Sequence, residues 1–443
     1  MGVNEINYTS KRIAEIVGGE HIGNNCEIGY LTIDSREKSS ISSCFFALKG
    51  ERFNGNNYIE EAISNGAKVI VTEKDIKCNA SVIKVKSTRE ALGLLGKWQK
   101  GKTKVIGVTG SFGKTTVKDM IISILKEKYR VCGTIDNQNN EIGVAFTLLS
   151  CREHDYCVVE MGMRGRGEIE WLSYIAEPDI SVVTCCASAH IGRLGDLQSI
   201  FLAKMEILKY TKYYGVLPHE ERFLDYDCGN LKKVFFGEKT PYEYTKFKLT
   251  KDGQSFYIKN KEFYLNSVFE HDAANAAIAY AVGELCGLNE EQIAKGLLKY
   301  RKRCGRGEIR KCGNLEVIND CYNASYESTK SAIINASSYC KSKGKGLVVL
   351  LGDMLELGEK SNEIHYKIGC LCKELSLYKM LVYGEYAEYY LMGNPQGQLC
   401  TKFEELTKEV LKYADKDCIL LIKASHGMNF QKIVDEISEI KNA

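Results

Sequence analysis

The sequence predicts an α/β fold in three successive units, and three observations carry that expectation. At 443 residues the chain is too long for one ordinary hydrophobic core. Short apolar runs rich in β-branched residues alternate with helix-like segments, the pattern of buried parallel strands joined by crossover helices. Residues 105–116 read VIGVTGSFGKTT, a strand feeding a glycine turn that closes on a lysine and two threonines. An apolar helix over 117–125 follows at once.

Taken in order, residues 1–100 form the first unit, with strands expected at 44–48, 69–71 and 82–85 and a helix at 58–64. Residues 101–308 form the second. It opens with the glycine turn and continues with buried strands at 158–161 and 180–184. Residues 309–443 form the third, with strands at 315–318, 346–351, 380–383 and 419–423 and helices near 328–339 and 364–375. No internal repeat or low-complexity linker interrupts them.

Composition narrows the function classes. Hydrophobic residues make up 44% and charged residues 26%, the balance of a folded globular enzyme. Sixty basic residues against 57 acidic ones leave a net charge of +3, which supplies no field for nucleic acid. No apolar run approaches the roughly 20 residues of a membrane helix, and no signal region opens the chain. The 18 cysteines include no C-x-x-C pair, so neither a zinc site nor an iron–sulfur site is expected. Reduced thiols in a cytoplasmic monomer are the expectation.

The glycine turn carries the first chemical reading. Gly110 and Gly113 let backbone N–H groups approach phosphate oxygens, with Ser111 between them. Lys114 neutralises charge, the Thr115 hydroxyl after it reaches Mg²⁺, and Thr116 completes the ATP-binding turn. Val108 replaces the first glycine of the longer phosphate-loop pattern, leaving the shorter Gly110-x-x-Gly113-Lys114-Thr115. ATP is therefore the expected cofactor. Other residues allow two readings from the sequence alone. Glu160 ends a buried strand, where α/β sites collect, or is a helix-capping or surface acid. His190 after the next strand is a ligand or a structural hydrogen bonder. Asn275 by itself reads as the cap of the helix it opens. Arg306 is a phosphate contact or one more cation in the basic stretch 299–310. Asn137, Asn139 and Asn140 predict a loop.

Several motifs stand in one order along nearly the whole chain. The first unit has Ile33-Asp34-Ser35-Arg36, Phe45–Leu48 and Gly50-Glu51-Arg52. The second adds the glycine turn, Asn137-x-Asn139-Asn140-Glu141-Ile142-Gly143, Val159-Glu160-Met161-Gly162, Ala189-His190 and Ala203-Lys204-x-Glu206-Ile207. The third has Asp320-x-Tyr322-Asn323-Ala324, Leu351-Gly352-Asp353-Met354-Leu355-Glu356-Leu357-Gly358 and Lys423-Ala424-Ser425. In this set the chain resembles the Mur ligases, ATP-dependent amide-forming enzymes of cell-wall precursor synthesis. Its greatest similarity is to the branch that adds D-Ala-D-Ala to a UDP-linked muramoyl tripeptide.

The resemblance implies a UDP-substrate domain over 1–100, a central P-loop ATPase domain over 101–308, and a Rossmann-like domain over 309–443 for the amine substrate. It implies ATP and two Mg²⁺ ions. Lys114, Glu160, His190 and Lys204 would be catalytic, with Thr115, Glu160, His190 and a carbamylated Lys204 at the metals. Asn275, Arg306 and Asp320 would meet ATP. Ser35, Arg36, Asn137, Asn139 and Asn140 would meet the UDP-linked peptide. Tyr322, Asn323, Asp353, Glu356, Lys423 and Ser425 would face the dipeptide or amino-acid amine. Four places depart from the family pattern: Asn54-Gly55-Asn56, Ala145, Cys185 and Ser325-Tyr326. They bear on the substrates more than on the reaction. A pseudomurein peptide ligase of the same chemistry and a non-catalytic nucleotide-binding protein are the rival readings.

Overall fold

The computed structural model describes residues 5–39, 41–50, 53–186, 196–250, 253–355 and 357–442. They divide into two compact units, Met1–Phe236 with Ile278–Ile293, and Gly237–Ala277 with Ala294–Ala443.

The first unit holds two six-stranded sheets. One runs in the spatial order Glu5–Thr9, Glu27–Thr32, Ser43–Phe46, Ala67–Thr72, Ser81–Lys84, Glu20–Ile22. Its inner pairings are parallel and its two outer ones antiparallel. Three of the four inner strands, Ser43–Phe46, Ala67–Thr72 and Ser81–Lys84, match the apolar runs read from the sequence, and Glu27–Thr32 has no counterpart there. The outer strands are short and polar (EINYT, EHI), too weakly patterned to stand out.

The other sheet is parallel throughout, in the order Lys232–Phe236, Tyr214–Pro218, Ile180–Val183, Lys104–Thr109, Tyr156–Glu160, Val131–Gly133. Helices Lys114–Leu125, Glu141–Leu149 and Glu168–Ala176 belong to its crossovers. Val105, Ile106, Val108, Val158, Val159, Val182 and Val183 are all fully buried. Burying each such side chain contributes about 1.5–3 kcal/mol, so the central strands cannot slip register without large loss. Lys104–Thr109 lies where the strand order reverses, and its C-terminal end is therefore the crevice of the sheet.

The second unit contains a six-stranded sheet in the order Glu308–Cys312, Leu315–Asn319, Cys418–Lys423, Gly346–Leu351, Lys379–Val382, Gln398–Leu399. Only its first pairing is antiparallel. The four inner strands and the helices Tyr326–Ser342 and Ser361–Glu374 fall where the periodicity predicts, whereas the edge strands Glu308–Cys312 and Gln398–Leu399 have no counterpart in it. An antiparallel three-stranded sheet, Tyr244–Thr250, Gly253–Ile258 and Lys261–Leu265, has no counterpart in the sequence reading. Its first strand, YTKFKLT, carries lysines and faces solvent along much of its length, which hides it from an apolar-run criterion.

All eighteen cysteines are free thiols. Among the described residues no helix is long and apolar enough to cross a membrane.

The departure at Ser325-Tyr326 has a local explanation. Ser325 caps the helix Tyr326–Ser342, accepting from Ser328 N–H, while the Ser328 hydroxyl accepts from Ser325 N–H. This reciprocal cap starts the helix by satisfying two backbone N–H groups at once. Ser325→Ala removes half of the box and should cost about 1 kcal/mol. In a urea titration the midpoint should fall with the slope unchanged.

Candidate active site

Strand register assembles the core of the site. Val108 pairs with Glu160 and Thr109 with Val183, so the glycine turn, the Glu160 carboxylate and residues 184–186 leave the sheet side by side. Gly110 has φ +149°, and a Cβ there would stand 1.9 Å from Thr184 Oγ1. Gly113 has φ +78° and precedes Lys114–Leu125, whose N-terminus no side chain caps. The N-terminus of a helix and its dipole favour an anion. Lys114 Nζ donates to Gly110 O at 2.8 Å, folding the lysine back over the turn. Ser111 is buried with its N–H on Cys185 O at 2.9 Å, and Phe112 N–H reaches Cys185 Sγ at 3.4 Å. The unusual cysteine at 185 thus braces the turn. Thr116 is half-buried beside Thr115.

Glu160 is buried, 2% exposed, and both carboxylate oxygens have a partner. Thr115 Oγ1 donates to Oε2 at 2.8 Å, and Asn139 Nδ2 donates to Oε1 at 2.8 Å. Its backbone N–H donates to Thr134 Oγ1 at 2.9 Å. The capping or surface alternative for Glu160 is therefore overturned. A hydroxyl and a carboxylate together beside a phosphate loop are hard oxygen donors of the kind Mg²⁺ takes. Residues 137–140 form the loop expected of them. Asn139 turns into the site, whereas Asn140 accepts from Gly143 N–H and caps the helix Glu141–Leu149. Asn137 contributes its carbonyl to Asn139 N–H.

Lys204 is 2% exposed near the end of the helix Leu197–Met205. Its ammonium is pushed down to about 8 by burial, helped by the nearby Lys114 charge. The sequence alone would leave it a solvated helix lysine, and the structure excludes that. His190 and Glu356 lie outside the described residues, as do Glu51, Arg52 and Ala189.

In the first sheet, the residues expected at the UDP-linked substrate are engaged by their own turn. Ser35 is buried and donates to Glu61 Oε2 at 2.5 Å. Arg36 is mostly exposed and holds Asp34 through two bonds of 2.8 and 2.6 Å. The hydrogen bonds from Arg36 hold the Asp34 carboxyl down at about 2.

The second unit gathers the third-block residues. Lys423, 2% exposed, ion-pairs with Asp320 at 2.6 Å and donates to Asn323 O at 3.0 Å. The Arg306 guanidinium lies over the Tyr322 ring at 3.8 Å, and Tyr322 N–H donates to Gly305 O at 2.9 Å. Arg306 is thus held by stacking, not left free in a basic stretch. Asp353 accepts from Glu385 N–H at 2.8 Å and Tyr386 N–H at 3.1 Å, and Ser425 Oγ accepts from Leu355 N–H at 2.9 Å.

Asn275 corrects an expectation. The helix begins at His271, so Asn275 sits one turn inside it and cannot be its cap. Its amide donates to Asp272 Oδ1 at 3.3 Å. Asp272, which the sequence reading passed over, is fully buried, takes the Ser267 hydroxyl, and pairs with Lys302 at 2.6 Å. Burial works to raise the Asp272 carboxyl, but the Lys302 and His271 charges with the Lys302 and Ser267 hydrogen bonds hold it below its ordinary value. Its place three residues before Asn275 was the available signal. Thr134 and Lys118, also passed over, had none.

Three family models match in sequence: the Mur ligase family catalytic domain over residues 27–99, the Mur ligase middle domain over 108–283, and the Mur ligase glutamate ligase domain over 305–426. The chain is 35% identical to UDP-N-acetylmuramoyl-tripeptide–D-alanyl-D-alanine ligase of Bacillus subtilis, over 98% of this chain and 99% of that protein. It is 32% identical to the Haemophilus influenzae enzyme of the same name, over 86% of each. Among solved structures, MurF from Acinetobacter baumannii superposes with a TM-score of 0.90 at 27% identity, covering 99% of this chain and all of that one. MurF ligase from Thermotoga maritima in complex with ADP superposes at 0.83 and 26% identity, covering 93% and 97%. A pseudomurein peptide ligase type C from Methanothermus fervidus shares the fold at 0.62 with 18% identity, covering 89% and 94%. With ordered motifs, sheet topology and full-length similarity in agreement, the chain belongs to the Mur ligase family.

Proposed function

We propose that this chain is the ATP-dependent ligase that joins D-alanyl-D-alanine to UDP-N-acetylmuramoyl-tripeptide, releasing ADP and phosphate. The observation that carries the proposal is 35% identity to the Bacillus subtilis ligase over 98% of the chain. The bonded Thr115–Glu160 pair beside the phosphate loop supports it. The pseudomurein reading has only a shared fold at 18% identity behind it, and the buried Glu160 carboxylate, bonded at both oxygens, argues against a silent fold.

The reaction transfers the ATP γ-phosphoryl group to the tripeptide carboxylate, and the dipeptide amine then displaces phosphate from the acyl phosphate. Its physical difficulty is that two anions must meet. Backbone N–H groups where the glycine turn meets the helix Lys114–Leu125 would hold phosphate oxygens, and Lys114 places a cation among them. Thr115 and Glu160 would hold the nucleotide Mg²⁺, with His190 and Lys204 toward a second ion; these ions supply charge neutralisation. Asn275, Arg306 and Asp320 would bind the nucleotide. In this reading residues 1–100, with Ser35 and Arg36, take the UDP moiety, and Asn137, Asn139 and Asn140 border the peptide. Residues 309–443 present Tyr322, Asn323, Asp353, Glu356, Lys423 and Ser425 to the amine. The working form is a cytoplasmic monomer.

Carbamylation of Lys204 fits its surroundings. The buried amine has a substantial neutral fraction near pH 8, which attack on CO₂ requires, and the product exchanges a buried cation for an anion beside Lys114.

Three outcomes are expected. Phosphate release by the purified protein with ATP and Mg²⁺ should need both the UDP-tripeptide and D-Ala-D-Ala, and the product should have the pentapeptide mass. Release that ignores either substrate sinks the proposal. Glu160→Gln, which keeps shape and loses charge, should lower kcat by about 10²-fold or more, read by steady-state kinetics. Depleting CO₂ should lower activity reversibly on bicarbonate addition, while Lys204→Ala is inactive under both conditions; activity indifferent to CO₂ rules out carbamylation.

A further inference from the structure

Behind Glu160 lies a buried cation that the proposed chemistry does not use. Lys118 is one turn beyond Lys114 on the same helix and has no solvent exposure. A buried ammonium is costly to desolvate, and an apolar side chain of similar length would fill the space without that cost. Its Nζ donates to Thr134 O at 2.8 Å and lies 3.2 Å from Asp119 Oδ1. Thr134, 1% exposed, follows the edge strand Val131–Gly133 and is tied to the next strand by its N–H on Val158 O at 3.0 Å. Its Oγ1 accepts the Glu160 N–H at 2.9 Å. The chain then runs from Thr134 to Asn139, whose amide holds Glu160 Oε1. Lys118 therefore anchors the segment that supplies two of the three groups tying Glu160 down.

We infer that Lys118 and Thr134 are positioning residues that hold the Glu160 carboxylate in the orientation a nucleotide-bound divalent cation requires. This rests on the reading of Glu160 given above. Neither residue need touch the nucleotide or the ion. Loss of the Lys118 donor leaves the Thr134 carbonyl buried and short of a partner, and loss of Thr134 Oγ1 frees the Glu160 backbone. The carboxylate keeps its charge, so the effect falls on its aim. Residues that orient a metal ligand from behind typically change metal affinity 10–100-fold when removed.

The experiment is calorimetric titration of ADP into the full chain over a range of Mg²⁺ concentrations, for the parent, Thr134→Val, Thr134→Ser and Lys118→Met. Thr134→Val keeps the side-chain volume and loses the acceptor, whereas Thr134→Ser retains it. In Thr134→Val and Lys118→Met, the Mg²⁺ concentration for half-maximal enhancement of ADP binding should rise about tenfold. Binding of ADP without Mg²⁺ should match the parent, and Thr134→Ser should follow the parent throughout. A folded Thr134→Val with the parent Mg²⁺ dependence overturns the inference. So does a variant that loses Mg²⁺-free binding by the same factor, because that is general damage to the site. If Lys118→Met does not fold, the Thr134 pair decides. A parent that binds Mg²⁺–ADP but ligates no dipeptide would defeat the substrate proposal and leave this inference to the titration.

Discussion

The carboxylate of Glu160 is the constraint around which the central sheet is organised. It is an acid held among buried strands, tolerable only because both carboxylate oxygens are bonded. Thr115 comes from the phosphate-loop helix, Asn139 from the loop after the edge strand, and Thr134 from the end of that strand. Two separated stretches of sequence are thereby locked to one residue, Thr115 and Asn139 at its carboxylate and Thr134 at its backbone N–H. The parallel pairing of Lys104–Thr109 with Tyr156–Glu160 sets where that side chain emerges. The apolar burial of both strands keeps the register from drifting.

Charge is distributed with the same economy. Lys114 folds onto its own turn, Lys118 is drawn beneath the sheet's edge, and Lys204 is buried where the Lys114 charge disfavours its protonation. Three lysines with similar intrinsic chemistry thus occupy three electrostatic settings. One can meet phosphate, one holds a loop carbonyl, and one is brought toward neutrality. In the second unit, buried Lys302 and Lys423 are instead paired directly with Asp272 and Asp320. Such pairs are weak arguments for stability but strong ones for geometry, since removing either partner strands a charge.

The departures from the family pattern are absorbed locally. Ser325 starts its helix with a reciprocal cap, Cys185 braces the glycine turn, and Ala145 packs inside the helix Glu141–Leu149. Asn54 caps the short turn Gly55–Tyr58, and Asn56 Oδ1 accepts from Thr72 Oγ1 at 2.6 Å. None of the four touches Thr115 or Glu160.

By itself the sequence determined the α/β class, the central strands of each large sheet and the phosphate loop, because apolar periodicity and glycine placement are local signals. It also determined family membership, because ordered motifs survive where overall identity is modest. It did not reveal the polar edge strands or the antiparallel strands at 244–265, whose lysine-bearing faces mimic loops. Nor could it separate Glu160 from a surface acid, Asn275 from a helix cap, or Lys204 from a solvated lysine. Those distinctions depend on burial and on partners 20 to 50 residues away in the chain, such as Asn139 and Thr115 on Glu160. Thr134 and Lys118 carry no local signature at all. Only tertiary packing decided them, because a hydrogen bond between distant segments exists only after the strands that carry them have paired.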